Sequence, residues 1–352
     1  MPTTRPATLR LPTWSAESST GLVVDVGGTK LMVAAVRRGA IAAKRSFPIS
    51  QFTRPGEMMD VIAESGERLC HESELPVDSA VVAIAGRLNR YEGTVIQAAN
   101  LPFVDYPIAD ELSDRLNGAS VRIEHDAACG LIGETVHGAA RGCTNVIYLT
   151  ISTGISVGIL VDGAVLEGAH GAAGELGHTP VASPGTACPC GSSGCLEAYA
   201  SGRALADLGH RVAADGTSPA LAAVLAAHGE ITAKDLLGAA RQGDPVSVAI
   251  VDAAIGRLAP AVRVLLMTLD PQVLVIGGGV MSDSYFAELV MSRCRLPGDE
   301  PTRVRQAQLG VTSVMHGAML FLGRDDREGD RRAGWTRSLT SQSCQPTSSV
   351  SS

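Results

Sequence analysis

Aromatic residues are scarce in this chain, with 2 Trp, 5 Tyr and 5 Phe in 352 residues. A core must therefore be built from Ala, Val, Leu and Ile, which the 45% hydrophobic content supplies. Long apolar runs are missing as well. None approaches the ~20 residues of a membrane-spanning helix, and no apolar segment follows Arg5 and Arg10, so neither an anchor nor a secretory leader is expected. Basic charge is not in excess. With a net charge of −7, nothing suggests a nucleic acid or an anionic membrane surface as a partner. The GxxxxGKS/T phosphate loop and the GxGxxG dinucleotide fingerprint are both absent. The eight cysteines suit a reducing, cytoplasmic compartment. Cys70, Cys129, Cys143 and Cys294 are scattered singly through apolar or mixed segments, as buried free thiols are.

What the chain does have is a dense cluster at 174–197. GELGH at 174–178 is followed by CPCGSSGCLE at 188–197. Cys188, Cys190, Cys195 and His178 offer three thiolates and one imidazole, the donor set of a closed tetrahedral zinc site. Gly191 and Gly194 let so tight a knot turn. A closed set leaves no position for water, so the zinc is expected to be structural and to fix Glu175 and Glu197 beside it. The spacing is not that of a CxxC finger, and free thiols or a redox pair remain the alternative.

Residues 1–20, rich in Thr, Pro and Ser, read as a disordered leader. LVVDVGGTKLMVAAV (22–36) reads as two strands joined by a Gly-Gly turn. Backbone N–H groups at Gly27 and Gly28 can cradle a phosphate there, and Thr29 adds a hydroxyl. Asp25 at the strand end is placed to hold Mg²⁺ through water, or is the exposed end of an ordinary hairpin. A helix over 57–73 places Met58, Ile62 and Leu69 on one face. A strand follows at 79–86, then turn-rich and irregular chain to 108, then a helix at 109–117. VRIE (121–124) runs into His125-Asp126 and a small-residue helix. Asp126 stands at the carboxyl end of a strand, where α/β sheets place ligands; Asp there also caps helices. Residues 143–168 repeat the strand–turn–strand pattern around Thr153-Gly154. Helices are expected over 198–269, with breaks near 215–218, 228–231 and 242–245, and VLVIGGG (273–279) is a third strand closed by glycines. Helices are expected again over 280–295 and 316–323, and the tail from 325 reads as disordered. Two similar α/β halves, each with a glycine turn, imply a nucleotide held between two lobes.

Together DVGGTK (25–30), EHDAACG (124–130), STGISVG (152–158), GELGH (174–178), CPCGSSGCLEAYAS (188–201) and VIGGGV (275–280) resemble the ROK family of sugar kinases and repressors, over roughly residues 21–323. The resemblance implies an actin/hexokinase-like duplicated ribonuclease-H fold, α/β, with two lobes around a cleft. The division expected is 1–20 leader, 21–126 N-terminal lobe, 127–297 C-terminal lobe with the zinc knot, 298–324 returning to the N-terminal lobe and 325–352 tail. It implies that Asp25, Gly27, Gly28, Thr29 and Lys30 form the first phosphate loop, with Asp25 near the Mg²⁺ that accompanies ATP. Thr153 and Gly154 would form the second, and Gly277, Gly278 and Gly279 would border adenosine. Asp126 would be the general base that takes the proton from a sugar 6-hydroxyl. Glu175, His178 and Glu197 would hold sugar hydroxyls, His178 doubling as a zinc ligand, and Gly86, Arg87 and Asn100 would touch the rest of the sugar. A homodimer is the family-like expectation.

The sequence departs from the family at His125, where Asn is usual, and at Ala85-Gly86, where Pro-Gly is usual. GRLNRYEG (86–93) is similar to N-acetylmannosamine kinases. His125 is expected to tune the pocket, for instance by accepting from an amino group on C3 of the sugar. The expected activity is therefore ATP-dependent phosphorylation of a hexose or aminohexose, such as glucose, kanosamine (3-amino-3-deoxyglucose), N-acetylmannosamine or N-acetylglucosamine. The alternatives are a sugar-responsive regulator or a non-catalytic sensor. The 20 residues before the first strand are too few for a DNA-binding domain, and Asp25 and Asp126 argue against a dead sensor.

Overall fold

The computed structural model describes residues 9–10, 19–296, 298, 300 and 303–323; the rest of the leader and the whole tail from 324 lie outside them. In chain order the elements are β1 (Leu9–Arg10), β2 (Gly21–Val26), β3 (Lys30–Arg37), β4 (Ala40–Pro48), α1 (Pro55–Glu72), β5 (Ser79–Ile84), β6 (Arg87–Asn89), β7 (Thr94–Gln97), β8 (Val104–Tyr106), α2 (Ile108–Arg115), β9 (Ser120–His125) and α3 (Asp126–Val136). They continue with β10 (Val146–Ile151), β11 (Ile155–Val161), β12 (Ala164–Val165), α4 (Glu197–Ala200), α5 (Gly202–Ala214), α6 (Pro219–His228), α7 (Ala233–Arg241), α8 (Pro245–Leu269), β13 (Val273–Gly277), α9 (Ser284–Arg293), β14 (Val304–Gln306) and α10 (Ser313–Ala318).

The chain divides into two compact units. Among the described residues the first takes 9–10, 19–144, 158–173 and 312–323, and the second takes 145–157, 174–296, 298, 300 and 303–311. In the first, a five-stranded sheet runs β4-β3-β2-β5-β9. β2, β5 and β9 are parallel, and β3 and β4 are antiparallel additions. Strands buried on both faces need unbroken apolar runs, and Leu22, Val23, Val24, Val81, Val82 and Ile84 are fully buried. β4 alternates between exposed and half-buried positions, as an edge strand does. α1 lays Met58, Met59, Ile62 and Leu69 into this core.

Three short strands, β6-β7-β8, form a separate antiparallel sheet. The sequence reading took this stretch as turns and irregular chain. Strands of three or four residues show too little alternation to stand out, and Gly93, Pro102 and Pro107 punctuate them. In the leader, Leu9 and Arg10 pair antiparallel with β12.

The first unit runs on past Asp126 to Thr144 and takes in α3. α3 and α10 touch so closely that a Cβ on Gly317 would collide with the Cys129 backbone. Glu134, fully buried on α3, accepts from Ser313 Oγ on α10 (2.7 Å) and from the Ala139 N–H (2.8 Å). Glu134→Ala removes both of these buried hydrogen bonds and the buried side chain that makes them, and is expected to cost about 3 kcal/mol in urea unfolding, with Glu134→Gln milder. The segment 298–324 is also shared out: β14 pairs with β13 in the second unit, and the chain joins the first only from Thr312. In the second unit β10, β13 and β14 are parallel neighbours, and helices α5 to α8 break close to where expected.

Cys70, Cys129 and Cys294 are buried free thiols as expected. Cys143 is instead disulfide-bonded. No helix among the described residues is long and apolar enough to cross a membrane.

Candidate active site

In the first unit the parallel register aligns strand ends. Val26 of β2 lies level with Ile84 of β5, and Ile84 lies level with His125 of β9. Asp25 and Asp126 therefore emerge at the same, carboxyl edge of the sheet. Burial and the Asp126 charge push the Asp25 carboxyl up to about 7, against a partial offset from Lys30. Two carboxylates with one nearby cation leave an excess of negative charge, which fits a hard divalent ion such as Mg²⁺.

The turn after β2 corrects one detail. The Gly27 N–H donates to the Lys30 carbonyl (3.0 Å), closing the hairpin. A phosphate donor from this turn must therefore come from Gly28 or Thr29. Thr29 and Lys30 are exposed, and the Thr29 carbonyl accepts from the Ile49 N–H (2.9 Å).

Asp126 opens α3, and the cap is shared. The Ala127 N–H donates to Asp126 Oδ1 (2.7 Å) and to His125 Nδ1 (3.2 Å). Asp126 does some capping, as the plain structural alternative held, but only through Oδ1. His125 Nδ1 also lies 3.3 Å from Asp126 Oδ1. An Nδ1 that accepts puts the proton of a neutral imidazole on Nε2. Gly86, at φ +133°, precedes β6, where Arg87 pairs with Gln97 and is exposed; Asn100 lies in the turn between β7 and β8.

In the second unit the other two glycine turns meet. β10 and β13 are paired up to Thr150 and Gly277, so Ser152–Gly154 and Gly277–Gly279 leave adjacent strand ends. Gly278, at φ +98°, lies against the Ile151 backbone so closely that any Cβ would clash. The turn is held by Ser152 N–H to Gly154 O (2.9 Å), and the Gly202 N–H at the start of α5 donates to Ser152 O (2.7 Å).

The cysteine knot folds on itself. Cys188 N–H donates to Ser192 O (2.8 Å), and Pro180 and Ala187 bridge to Cys195 and Ser193. Gly191 and Gly194 take φ of +90° and +77°, as that loop requires. His178 Nδ1 lies 3.7 Å from Cys188 Sγ, and Cys190 Sγ lies 3.7 Å from Cys195 Sγ. All four donor atoms fall within 4.8 Å of one another. Tetrahedral zinc with bonds of about 2.3 Å to sulfur and about 2.0 Å to nitrogen demands edges of about 3.5–3.8 Å. Two of the edges, both 3.7 Å, meet that demand, and with the remaining donors inside 4.8 Å the set is compatible with the ion.

Two carboxylates flank the knot. Glu175 Oε2 lies 3.7 Å from His178 Nε2. Glu197, 5% exposed, follows Cys195 by two residues. Its Oε2 accepts from the Ile155 N–H (2.9 Å), and its Oε1 is buried with no hydrogen-bond partner among the described residues. A buried, unsatisfied carboxylate oxygen invites a donor from outside the chain. The sequence reading missed the Ile155 N–H that orients Glu197, because a backbone donor 42 residues away leaves no local signal. It also missed Arg90, Glu124 and Glu167, which are taken up below.

A family model described as the ROK family matches residues 22–324. A glucokinase from Streptomyces coelicolor is 34% identical over 313 residues, covering 84% of this chain and 95% of its own length. An N-acetylmannosamine kinase from Yersinia pestis is 28% identical over 310 residues, covering 86% and 97%. Among solved structures, a ROK family glucokinase from Streptomyces griseus in complex with glucose and AMPPNP superposes with a TM-score of 0.74 at 29% identity, covering 85% of this chain and 98% of that one. The α/β fold is accordingly the actin/hexokinase-like one, and the chain belongs to the ROK family.

Proposed function

We propose that the protein transfers the γ-phosphoryl group of ATP to the 6-hydroxyl of a hexose or aminohexose, with Asp126 as general base. The observation that carries this reading is the carboxylate pair Asp25 and Asp126 at one edge of a parallel sheet. Asp126 keeps Oδ2 outside its capping contact, so it retains an acceptor for the hydroxyl proton. Asp25 would hold Mg²⁺ through water, and that ion supplies charge neutralisation for the phosphates. Gly28, Thr29, Thr153 and Gly154 would donate to phosphate oxygens, while Gly277–Gly279 let adenosine approach the backbone. Glu197 Oε1 and Glu175 would accept from vicinal hydroxyls, and discrimination is strongest when such a buried acceptor is left unmet. Zinc on His178, Cys188, Cys190 and Cys195 would pin that loop.

His125 refines the substrate. Its Nδ1 already accepts a helix N–H, which places the proton of the neutral ring on Nε2. A hydroxyl or N-acetyl oxygen suits that donor better than a free ammonium. Coupled ADP release over glucose, 3-amino-3-deoxyglucose, N-acetylglucosamine and N-acetylmannosamine tests the activity. Sugar-dependent release is expected, and none with any sugar would refute the kinase. In the same panel, His125→Asn is expected to shift relative kcat/KM among the sugars by about tenfold. An unchanged ranking would remove His125 from substrate selection.

A further inference from the structure

Outside the groups assigned above, the described residues of the first unit hold a buried ionic network. Glu124 is 1% exposed. Arg90 Nη1 donates to its Oε1 (3.0 Å) and Oε2 (3.1 Å), and Arg122 Nε donates to Oε1 (2.6 Å). The other terminal nitrogen of Arg90 pairs with Glu167. Arg122 lies over the Phe321 ring, 4.5 Å from its centre. Two cations and two anions balance, so the network is neutral as a whole. Burial opposes ionisation of Glu124, but Arg90 and Arg122 outweigh it and hold the carboxyl below its usual range.

The chain segments joined by Arg90 give the network a function. Arg90 itself follows β6, in the hairpin that carries Arg87 and leads to Asn100. Glu124 directly precedes His125 and Asp126. Glu167 opens the loop that its carbonyl closes by accepting from the Ala173 N–H (3.2 Å), two residues before Glu175. Each of these segments bears or leads into a residue proposed to face the sugar. A planar guanidinium bonds two carboxylates at fixed angles, which the point charge of lysine does not.

We propose that Arg90 is a positioning residue that holds the Arg87 hairpin, the Asp126 strand and the 167–173 loop in the arrangement by which the first unit serves the sugar; this rests on the kinase reading. A misplacement of about 1 Å far from the chemistry is enough to cost orders of magnitude in rate. The test compares Arg90→Lys with wild type by steady-state kinetics and by amide hydrogen exchange without ligands. The sugar KM is expected to rise about tenfold or more, the ATP KM to stay within about twofold, and exchange to accelerate in 86–106 and 166–173 but not in 186–195. A purely structural role would lower the active fraction and leave the sugar KM alone. An unchanged sugar KM, or an equal rise in both KM values, overturns the proposal. Should Arg90→Lys fail to fold, Glu167→Gln cuts one arm and leaves Glu124 fully paired. It is expected to raise the sugar KM severalfold and to loosen 166–173 alone; unchanged values there overturn the proposal. Wild-type protein that releases no ADP would refute the kinase reading, and the exchange comparison would still decide whether Arg90 clamps these segments.

Discussion

Asp126→Asn is expected to lower kcat by about 10³-fold while leaving the KM for ATP and for sugar within a few fold. Positioned general bases contribute about 10²–10⁴ in rate, and phosphoryl transfer leaves the protein little other covalent chemistry. The substitution is well controlled. An asparagine carbonyl can still accept the Ala127 N–H that Asp126 Oδ1 accepts, so the start of α3 is kept. The amide also removes the charge that adds to burial in raising the Asp25 carboxyl. Initial rates with saturating sugar and ATP check the prediction. Activity within tenfold of wild type would mean that the sugar hydroxyl loses its proton elsewhere.

Removal of zinc is expected to act on the sugar and spare the nucleotide. Cys190→Ser leaves a weak oxygen donor in a site whose sulfur spacing matches tetrahedral zinc. Elemental analysis should then find about one zinc per chain in wild type and none in the variant. With the loop unpinned, Glu175 and Glu197 lose their fixed places, because Glu197 follows Cys195 by only two residues. The sugar KM is expected to rise tenfold or more, about 1.4 kcal/mol per decade. The ATP KM should change little, since the Thr153 and Gly277–Gly279 turns are held by their own backbone bonds and packing. Full sugar affinity in zinc-free protein would contradict the arrangement.

Much of this was legible in the sequence because the signals are local. Asp25-Val26-Gly27-Gly28, Ser152-Thr153-Gly154 and Gly277–Gly279 each announce a strand end by a change from β-branched residues to glycine, and each strand ends there. The four candidate zinc ligands cluster within 18 residues, from His178 to Cys195, and the fold brings their donor atoms within 4.8 Å of one another. Long-range pairings were not legible. Arg90 and Glu124 are 34 residues apart, and nothing beside either marks the other. The β6-β7-β8 sheet escaped because its strands are too short to show a period of two. The packing of α10 on α3 leaves no local signal either, because it is a contact set by glycine on one helix and a backbone on the other. That the Gly27 N–H is spent on the hairpin depends on turn geometry, which the letters Gly-Gly do not specify.

The most direct test of the central claim is phosphorus–proton correlation NMR of the product formed from glucose, ATP and Mg²⁺ by the purified protein. The account predicts a new phosphorus resonance coupled to the two protons on C6, formed together with ADP and absent with Asp126→Asn. Phosphate on C1, or ADP release without any sugar phosphate, would contradict it.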